Sequence, residues 1–413
     1  MADVSNINGI NVEAIRTQFP VLDQMVNGKP LAYFDNAATN QKPTSVIKAL
    51  EQYYEGYNAN IHRGIHTLAE KATKAFEDTR TTLGKFINAA EPEEIIFTKG
   101  TTESINLVAA TFGRKFISNG DEIIISGLEH HSNIVPWQLV AEENGAKIRV
   151  IDVLDNGTLD IRQFKSLLSS KTKLVAVNHA SNSLGTINPI DEIIALAHEV
   201  GAKVLIDGAQ ATAHLDIDVQ ALDCDFYALS AHKCYGPTGT GALYGKRELL
   251  EAMPPYQGGG EMIKDVSFEK TTYNDIPYKF EAGTPNIGDV IAFKSALDFI
   301  TEVGKSNIAA HENDLLQYAR EKALQIPGLR IIGDSDNKLS VLSFIVEGIH
   351  PFDIGQMLDA SGIAVRTGHH CTQPLMERFK IEGTVRASFA VYNTKVEIDR
   401  MIESLHRIVK FLK

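Results

Sequence analysis

Short apolar runs rich in β-branched residues punctuate the first two thirds of the chain, at residues 95–98, 122–126, 147–150, 174–178 and 204–207. Each has the length of a strand, and helical patterns fill the segments between them. Strands alternating with helices join through right-handed crossovers into a mainly parallel sheet, so the pattern predicts an α/β fold. Beyond about residue 300 the rhythm changes: a helix is expected over 313–325, strands over 338–346 and 362–367, and a final helix over 396–412. This divides the chain into a large domain, residues 30–300, and a smaller α+β domain, residues 301–413, which residues 1–29 complete. Internal repeats and low-complexity segments are absent from the sequence.

Side chains capable of chemistry fall at the ends of those strands, where open α/β sheets bind ligands. One run ends in Asp207, followed by Gly208, Ala209 and Gln210. Another leads through Gly100 into Thr101, Thr102 and the start of an apolar helix. Free N–H groups, the helix dipole and two hydroxyls make that start an anion site, although the same residues would serve as an ordinary helix cap. A third run precedes Glu129, His130 and His131; an imidazole there can stack on a pyridine ring and exchange protons near neutral pH. The adjacent histidines also suggest a metal, but they lack the Cys and His spacing of zinc sites.

Ser230, Ala231, His232 and Lys233 follow a further strand-like run and precede a glycine-rich stretch from Gly236 to Gly241. A lysine amine becomes a nucleophile when it is desolvated or set beside other cationic groups. A lysine able to form an imine, phosphate ligands, a carboxylate and the Gln210 amide together suit pyridoxal 5'-phosphate. Asp207 would keep the ring nitrogen protonated, and Gln210 would bond the phenolic oxygen. Alone, Asp207 reads equally well as a turn cap. The glycine stretch is no dinucleotide loop, because it leads into a strand-like run at residues 242–244 rather than a helix.

Toward the C-terminus, Arg366, Thr367, Gly368, His369 and His370 precede Cys371, an electropositive setting that suits a nucleophilic sulfur. A half-built metal site and a buried structural thiol are the rival readings. Against the metal, Cys224 and Cys234 lie far off without C-x-x-C spacing, and His62 and His66 lack the glutamate of H-E-x-x-H.

Further motifs occur in order: Asp35-Asn36-Ala37-Ala38-Thr39, His62-Arg63-Gly64-Ile65-His66, Asn178 through Asn182, Glu281 through Thr284, and Arg386-Ala387-Ser388. With the Asp207, Lys233 and Cys371 motifs, they resemble the cysteine desulfurases over nearly the whole chain, and specifically their SufS branch. That resemblance implies a class V aminotransferase relative with the fold type I architecture of pyridoxal-phosphate enzymes. It implies conversion of L-cysteine to L-alanine, with sulfur held as a persulfide on Cys371. The sulfur would pass to an acceptor protein of the SufE or SufU type for iron–sulfur cluster assembly. Lys233 would anchor the cofactor and move the Cα proton, and His130 would stack on the ring and protonate an intermediate. Thr101, Thr102, Ser230 and His232 would hold the phosphate, joined by Thr284 from the other subunit of a homodimer. Arg386, Asn182 and the Asn36–Ala37 backbone would bind substrate, and Arg366 and the loop histidines would tune Cys371. After Gly258, Gly259 and Gly260, a polar stretch to Tyr278 suggests a hairpin or mobile lobe over the site. Ala231 and Thr372 stand where the family usually has glycine and alanine.

The same motifs fit selenocysteine lyase or cysteine sulfinate desulfinase activity. An aminotransferase would need Lys233 and Arg386 but not Cys371; a sulfur-carrier subunit would need Cys371 but not Lys233. Composition is that of an ordinary globular protein: 413 residues, 44% hydrophobic and 22% charged. A net charge of −12 argues against a general partner among nucleic acids or anionic membranes. Three cysteines without paired spacing and no apolar leader point to a reducing, cytoplasmic setting. Apolar runs all fall short of the roughly 18 to 20 residues that span a bilayer.

Overall fold

Seven strands build the central sheet: β1 (Ile95–Thr98), β2 (Glu122–Ser126), β3 (Lys147–Ile151), β4 (Thr172–Asn178), β5 (Lys203–Asp207), β6 (Phe226–Ser230) and β7 (Gly241–Gly245). The computed structural model describes residues 6–7 and 10–412; residues 1–5 and 8–9 of the expected N-terminal segment, and residue 413, lie outside the described residues. Strand order is β1-β7-β6-β5-β4-β2-β3. Only β7 runs antiparallel to its neighbours. The C-terminal ends of the other six strands therefore share one edge of the sheet.

Alternation along the strands explains why the sheet is covered on both faces. Val175, Val177, Val204, Ile206, Tyr227 and Leu229 enter one apolar cluster. Their neighbours Leu174, Ala176, Leu205, Phe226 and Ala228 enter another. Successive strand side chains point to opposite faces, so each face carries its own core. On the first face lie the helices Thr67–Phe86 and Ile287–Val303; on the second lies Val135–Asn144, which buries Trp137. Each large apolar side chain buried this way contributes about 1.5–3 kcal/mol.

A second sheet follows, antiparallel in the order β8-β9-β11-β10, from β8 (Leu329–Ile331), β9 (Val341–Val346), β10 (Arg366–Gly368) and β11 (Thr384–Ser388). It packs with the helices Lys305–Ala323, Pro351–Asp359 and Lys395–Leu412 around a separate apolar cluster. Three boundaries differ from the sequence expectation. The helix expected at residue 313 starts at Lys305, through a polar first half that hides its period. The strand expected from residue 338 starts at Val341, and Lys338 instead makes an isolated bridge to Thr186. The strand expected over 362–367 is two, because the chain changes partner: Ile363–Ala364 pairs in parallel with Ala32–Tyr33, whereas β10 pairs with β11.

The N-terminal segment touches both parts. Ile10, Val12, Ile15, Phe19 and Leu22 join the larger cluster, and Ala32 and Phe34 join the smaller one. Arg16 donates to the Tyr392 carbonyl at 2.6 Å and pairs with Glu397 at 3.1 Å. We propose a division near residues 30 and 300, with the N-terminal segment strapping the two parts together.

Candidate active site

The ends of β1, β2, β4, β5 and β6 line one cavity of about 270 Å³, together with the turn at residues 37–38 and residues of β10, β11 and the 370–371 loop. That volume lies near the small end of the range for small-molecule sites, about 300–1,000 Å³. On the β1 side, Gly100 has φ +145°, and helix α1 (Thr101–Val108) begins immediately after it. A Cβ on Gly100 would lie 3.1 Å from the Ser230 hydroxyl. The Thr101 N–H donates to Ser230 Oγ at 2.8 Å, and the two hydroxyls lie 2.9 Å apart. Thr102 Oγ1 lies 2.7 Å from Ser132 Oγ. Four hydroxyl side chains and a helix N-terminus thus form a cradle chemically suited to a phosphate.

Beyond β2, the Ser132 N–H donates to His130 Nδ1 at 3.1 Å. Burial, then the charge of Lys233, lowers the His130 pKa to about 4, so the ring is neutral with its proton on Nε2. Behind it, the buried Glu129 accepts from the Asn178 N–H at 2.9 Å and from Asn133 Nδ2 at 2.6 Å, and it also bonds Ser126. Burial raises the Glu129 pKa to about 8.

Asp207 ends β5 with its carboxylate accepting from the Ala209 N–H at 2.9 Å. Burial raises its pKa, opposed by that hydrogen bond and by Lys233. Gly208 must be glycine, because a Cβ there would stand 2.0 Å from the Tyr227 ring. Gln210 donates to the Ala37 carbonyl at 2.7 Å, while the Ala37 N–H donates to Ser388 Oγ at 2.8 Å. Lys233 lies in the turn after β6, where burial lowers its proton affinity; Asp207 opposes this effect and Arg386 reinforces it. His232, lowered to about 4 by burial and then by Lys233, is neutral as well.

Opposite these strand ends, Arg386 is almost wholly buried and donates through Nη1 to the Asn182 carbonyl at 2.8 Å. Asn182 in turn donates to the His370 carbonyl at 2.8 Å. Cys371 is exposed and adopts φ +57°, directly after His370 at φ +51°. Two successive non-glycine residues in the left-handed region cost about 1–2 kcal/mol each. The loop is fastened across the cavity mouth, where the His131 N–H donates to the Cys371 carbonyl at 2.8 Å and His131 Nε2 accepts from the Gln373 N–H at 3.1 Å.

Of the residues given a role from sequence, Thr284, Asn36 and His369 do not line this cavity and the others do; Thr284 lines a separate groove with Lys99, Tyr256 and Glu281. Ala38, Ser132, Asn178, Ala180 and Ala209 also line it and were missed. Ser132 and Asn178 stood inside or beside the quoted motifs, which was their available signal. Among the described residues, no cluster of three or more His, Cys, Asp or Glu could hold a metal ion, and no helix is long and apolar enough to cross a membrane.

The pattern of the aminotransferase class-V family matches residues 32–401. The chain belongs to that family. It is 52% identical to a cysteine desulfurase of Synechococcus elongatus over 97% of this chain, and it spans only 64% of that relative's length. A cysteine desulfurase of Dickeya dadantii is 50% identical, with 97% of each chain covered. Among solved structures, the cysteine desulfurase CsdA of Escherichia coli superposes with a TM-score of 0.90 at 39% identity, covering 98% of this chain and 100% of its own. The architecture of this class-V member is fold type I of the pyridoxal-phosphate enzymes, and its cofactor is pyridoxal 5'-phosphate. The donor set fits that group, for one cavity gathers a hydroxyl cradle at a helix start, a buried carboxylate and a lysine of lowered proton affinity.

Proposed function

We propose that this protein is a cysteine desulfurase of the SufS branch, which converts L-cysteine to L-alanine and keeps the sulfur as a persulfide on Cys371. One observation carries this reading: Lys233, Arg386 and Cys371 line the same cavity. Thr101, Thr102, Ser230 and His232 would hold the cofactor phosphate, Asp207 its ring nitrogen and Gln210 its phenolic oxygen. Thr284 would reach the phosphate from the second subunit of a homodimer. The bound cofactor supplies an electron sink for carbanion chemistry.

Arg386, helped by Asn182 and Ala37, holds the substrate carboxylate. The Lys233 amine, poised as a base by burial, removes the Cα proton. Cys371 Sγ then attacks the substrate sulfur. The S–S bond forms, the Cβ–S bond breaks, and its electron pair stays with the carbon skeleton, which takes up protons to leave as alanine. His130, neutral with its proton on Nε2, is the donor beside that position, and Arg366 lines the same cavity as Cys371. The exposed Cys371 loop then hands sulfur to an acceptor of the SufE or SufU kind for iron–sulfur cluster assembly.

The test compares alanine and sulfide formation from L-cysteine, with a dithiol reductant, in the wild type and in Cys371→Ala. Activity in the wild type and its loss in the variant are expected. Equal alanine formation by both, or reaction only with L-selenocysteine or another amino acid, overturns the sulfur-transfer reading.

A further inference from the structure

The Cys371 loop is anchored differently on its two sides. Before the cysteine, the His370 carbonyl accepts from Asn182 Nδ2 at 2.8 Å, and His370 Nε2 lies 2.8 Å from Thr384 Oγ1 on β11. After it, among the described residues, both hydrogen bonds that tie Cys371 and Gln373 to the turn beyond β2 come from His131. One is the His131 N–H, which donates to the Cys371 carbonyl; the other is made by the ring, whose Nε2 accepts from the Gln373 N–H at 3.1 Å. Gln373 opens the helix Gln373–Phe379, so its N–H is one of the donors that a helix cannot satisfy from within. An accepting Nε2 puts the His131 proton on Nδ1 and makes the ring neutral. Burial, and then the His369 ring with its centroid 5.9 Å away, lowers the His131 pKa and so favours that neutral form. His131 does not line the cavity, whereas its neighbour His130 does. The two share one short turn, His131–Asn133 with His130 as its cap, braced from behind where Asn133 donates to Glu129 at 2.6 Å.

We propose that His131 is a positioning residue for the sulfur transfer: by accepting the Gln373 N–H, its ring fastens the far side of the Cys371 loop to the turn that carries His130, and so fixes the approach of Cys371 Sγ to the substrate sulfur. The proposal rests on the desulfurase reading above. His370 and Cys371 hold φ +51° and +57°, a region where non-glycine residues stay only while their surroundings enforce it. With the Gln373 tether gone, Cys371 is free to relax toward ordinary backbone angles and away from that approach. A shift of about 1 Å in a reacting group is enough to slow a reaction severely. Substrate capture is untouched, because Lys233 and Arg386 stand on other elements.

The test compares the holoenzyme with its His131→Phe and His131→Gln variants. Phenylalanine keeps a ring and lacks the acceptor; glutamine loses the ring but carries an amide oxygen to about the reach of Nε2. A packing role would spare the first variant, and a tether spares the second. In His131→Phe, kcat for alanine formation from L-cysteine falls about tenfold, and deuterium uptake at the Gln373 amide, followed by mass spectrometry, speeds up by a similar factor. In His131→Gln both stay within about threefold of the wild type. Affinity for L-alanine, read from the change in cofactor absorbance, moves less than about twofold in either variant, because the loop takes no part in capture. Should His131→Phe not fold, His131→Met, close to glutamine in shape and without its acceptor, takes its place. A glutamine variant as slow as the one lacking an acceptor, an acceptor-less variant as fast as the wild type, or uptake at Gln373 that is alike in all three proteins overturns the proposal. If the wild type forms no alanine from L-cysteine, the proposed function fails instead, and uptake at Gln373 still decides whether the ring tethers the loop.

Discussion

Removing the guanidinium of Arg80 should destabilise the fold by about 3–5 kcal/mol, the range expected when one partner of a buried ion pair is lost. Arg80 is 2% exposed and Glu281 only slightly more so. Its Nη1 donates to Glu281 at 2.7 Å and to the Ile95 carbonyl at 2.7 Å, its Nη2 to Glu281 at 2.9 Å, and its Nε to Glu77 at 2.8 Å. Arg80→Met would leave Glu281 with the Phe97 N–H, at 2.7 Å, as its remaining partner. Glu77 suffers less, because it is partly solvated and keeps His62 at 2.9 Å. The double variant Arg80→Met/Glu281→Met removes the stranded charge as well, so it should recover at least half of the loss. Urea unfolding at fixed protein concentration and saturating cofactor reads these differences as midpoint shifts. As a control, the exposed pair Lys74–Asp78, at 2.5 Å, should be worth no more than about 0.5 kcal/mol. Arg80→Met within about 1 kcal/mol of wild type, or a double variant that costs the sum of the single ones, would refute the argument. The cluster ties β1 to the segment that begins at Glu281, so a loosened variant should also misplace Thr284.

Ser230→Ala removes the acceptor of the Thr101 N–H and one hydroxyl of the cradle. Cofactor affinity should fall about tenfold, measured as absorbance retained on dialysis, and unchanged retention would place the phosphate elsewhere. Glu129 should impose a pH slope on stability. Its folded pKa, about 8 through burial, lies above the ordinary glutamate value of 4.5. As pH rises through that window, the unfolded chain releases a proton that the folded one keeps, so stability falls. Relative to Glu129→Gln, the wild type should lose on the order of 5 kcal/mol between pH 4.5 and 8, followed by equilibrium unfolding. A difference that stays constant over that window sinks the assignment.

The strands of the central sheet were legible because they are buried on both faces, and a short β-branched run bounded by turn residues has few other uses. Each expected run in the central sheet coincides with β1 to β5 to within about two residues. The site residues were legible for a related reason, since chemistry-bearing side chains at strand ends are displayed together by the sheet. Pairings between distant parts of the chain were not legible. Asp35 stood in a recognised motif, yet its partners lie 331 and 351 positions away. Nothing local marks a carboxylate as shared between two arginines. Nothing local sets Arg80 apart from the other polar residues of its helix, although it is buried against Glu281, 201 positions on. The split of residues 362–367 into two strands was hidden similarly, because a change of pairing partner leaves no trace in hydrophobic periodicity.

The pairing of Ala32–Tyr33 with Ile363–Ala364 has a consequence for how the chain is made. A ribosome adding about 5–20 residues per second needs roughly 15 to 65 seconds to travel from one segment to the other. Throughout that interval the early strand has no mate, while the seven-stranded sheet is already off the ribosome and free to form. Arg386 emerges later still, so a nascent chain can display the lysine side of its pocket before any grip on a substrate exists. Premature termination between the end of β7 and the Ile363–Ala364 strand therefore yields a body with an unmated early strand and half a pocket, a species for quality control to clear rather than a partly competent catalyst.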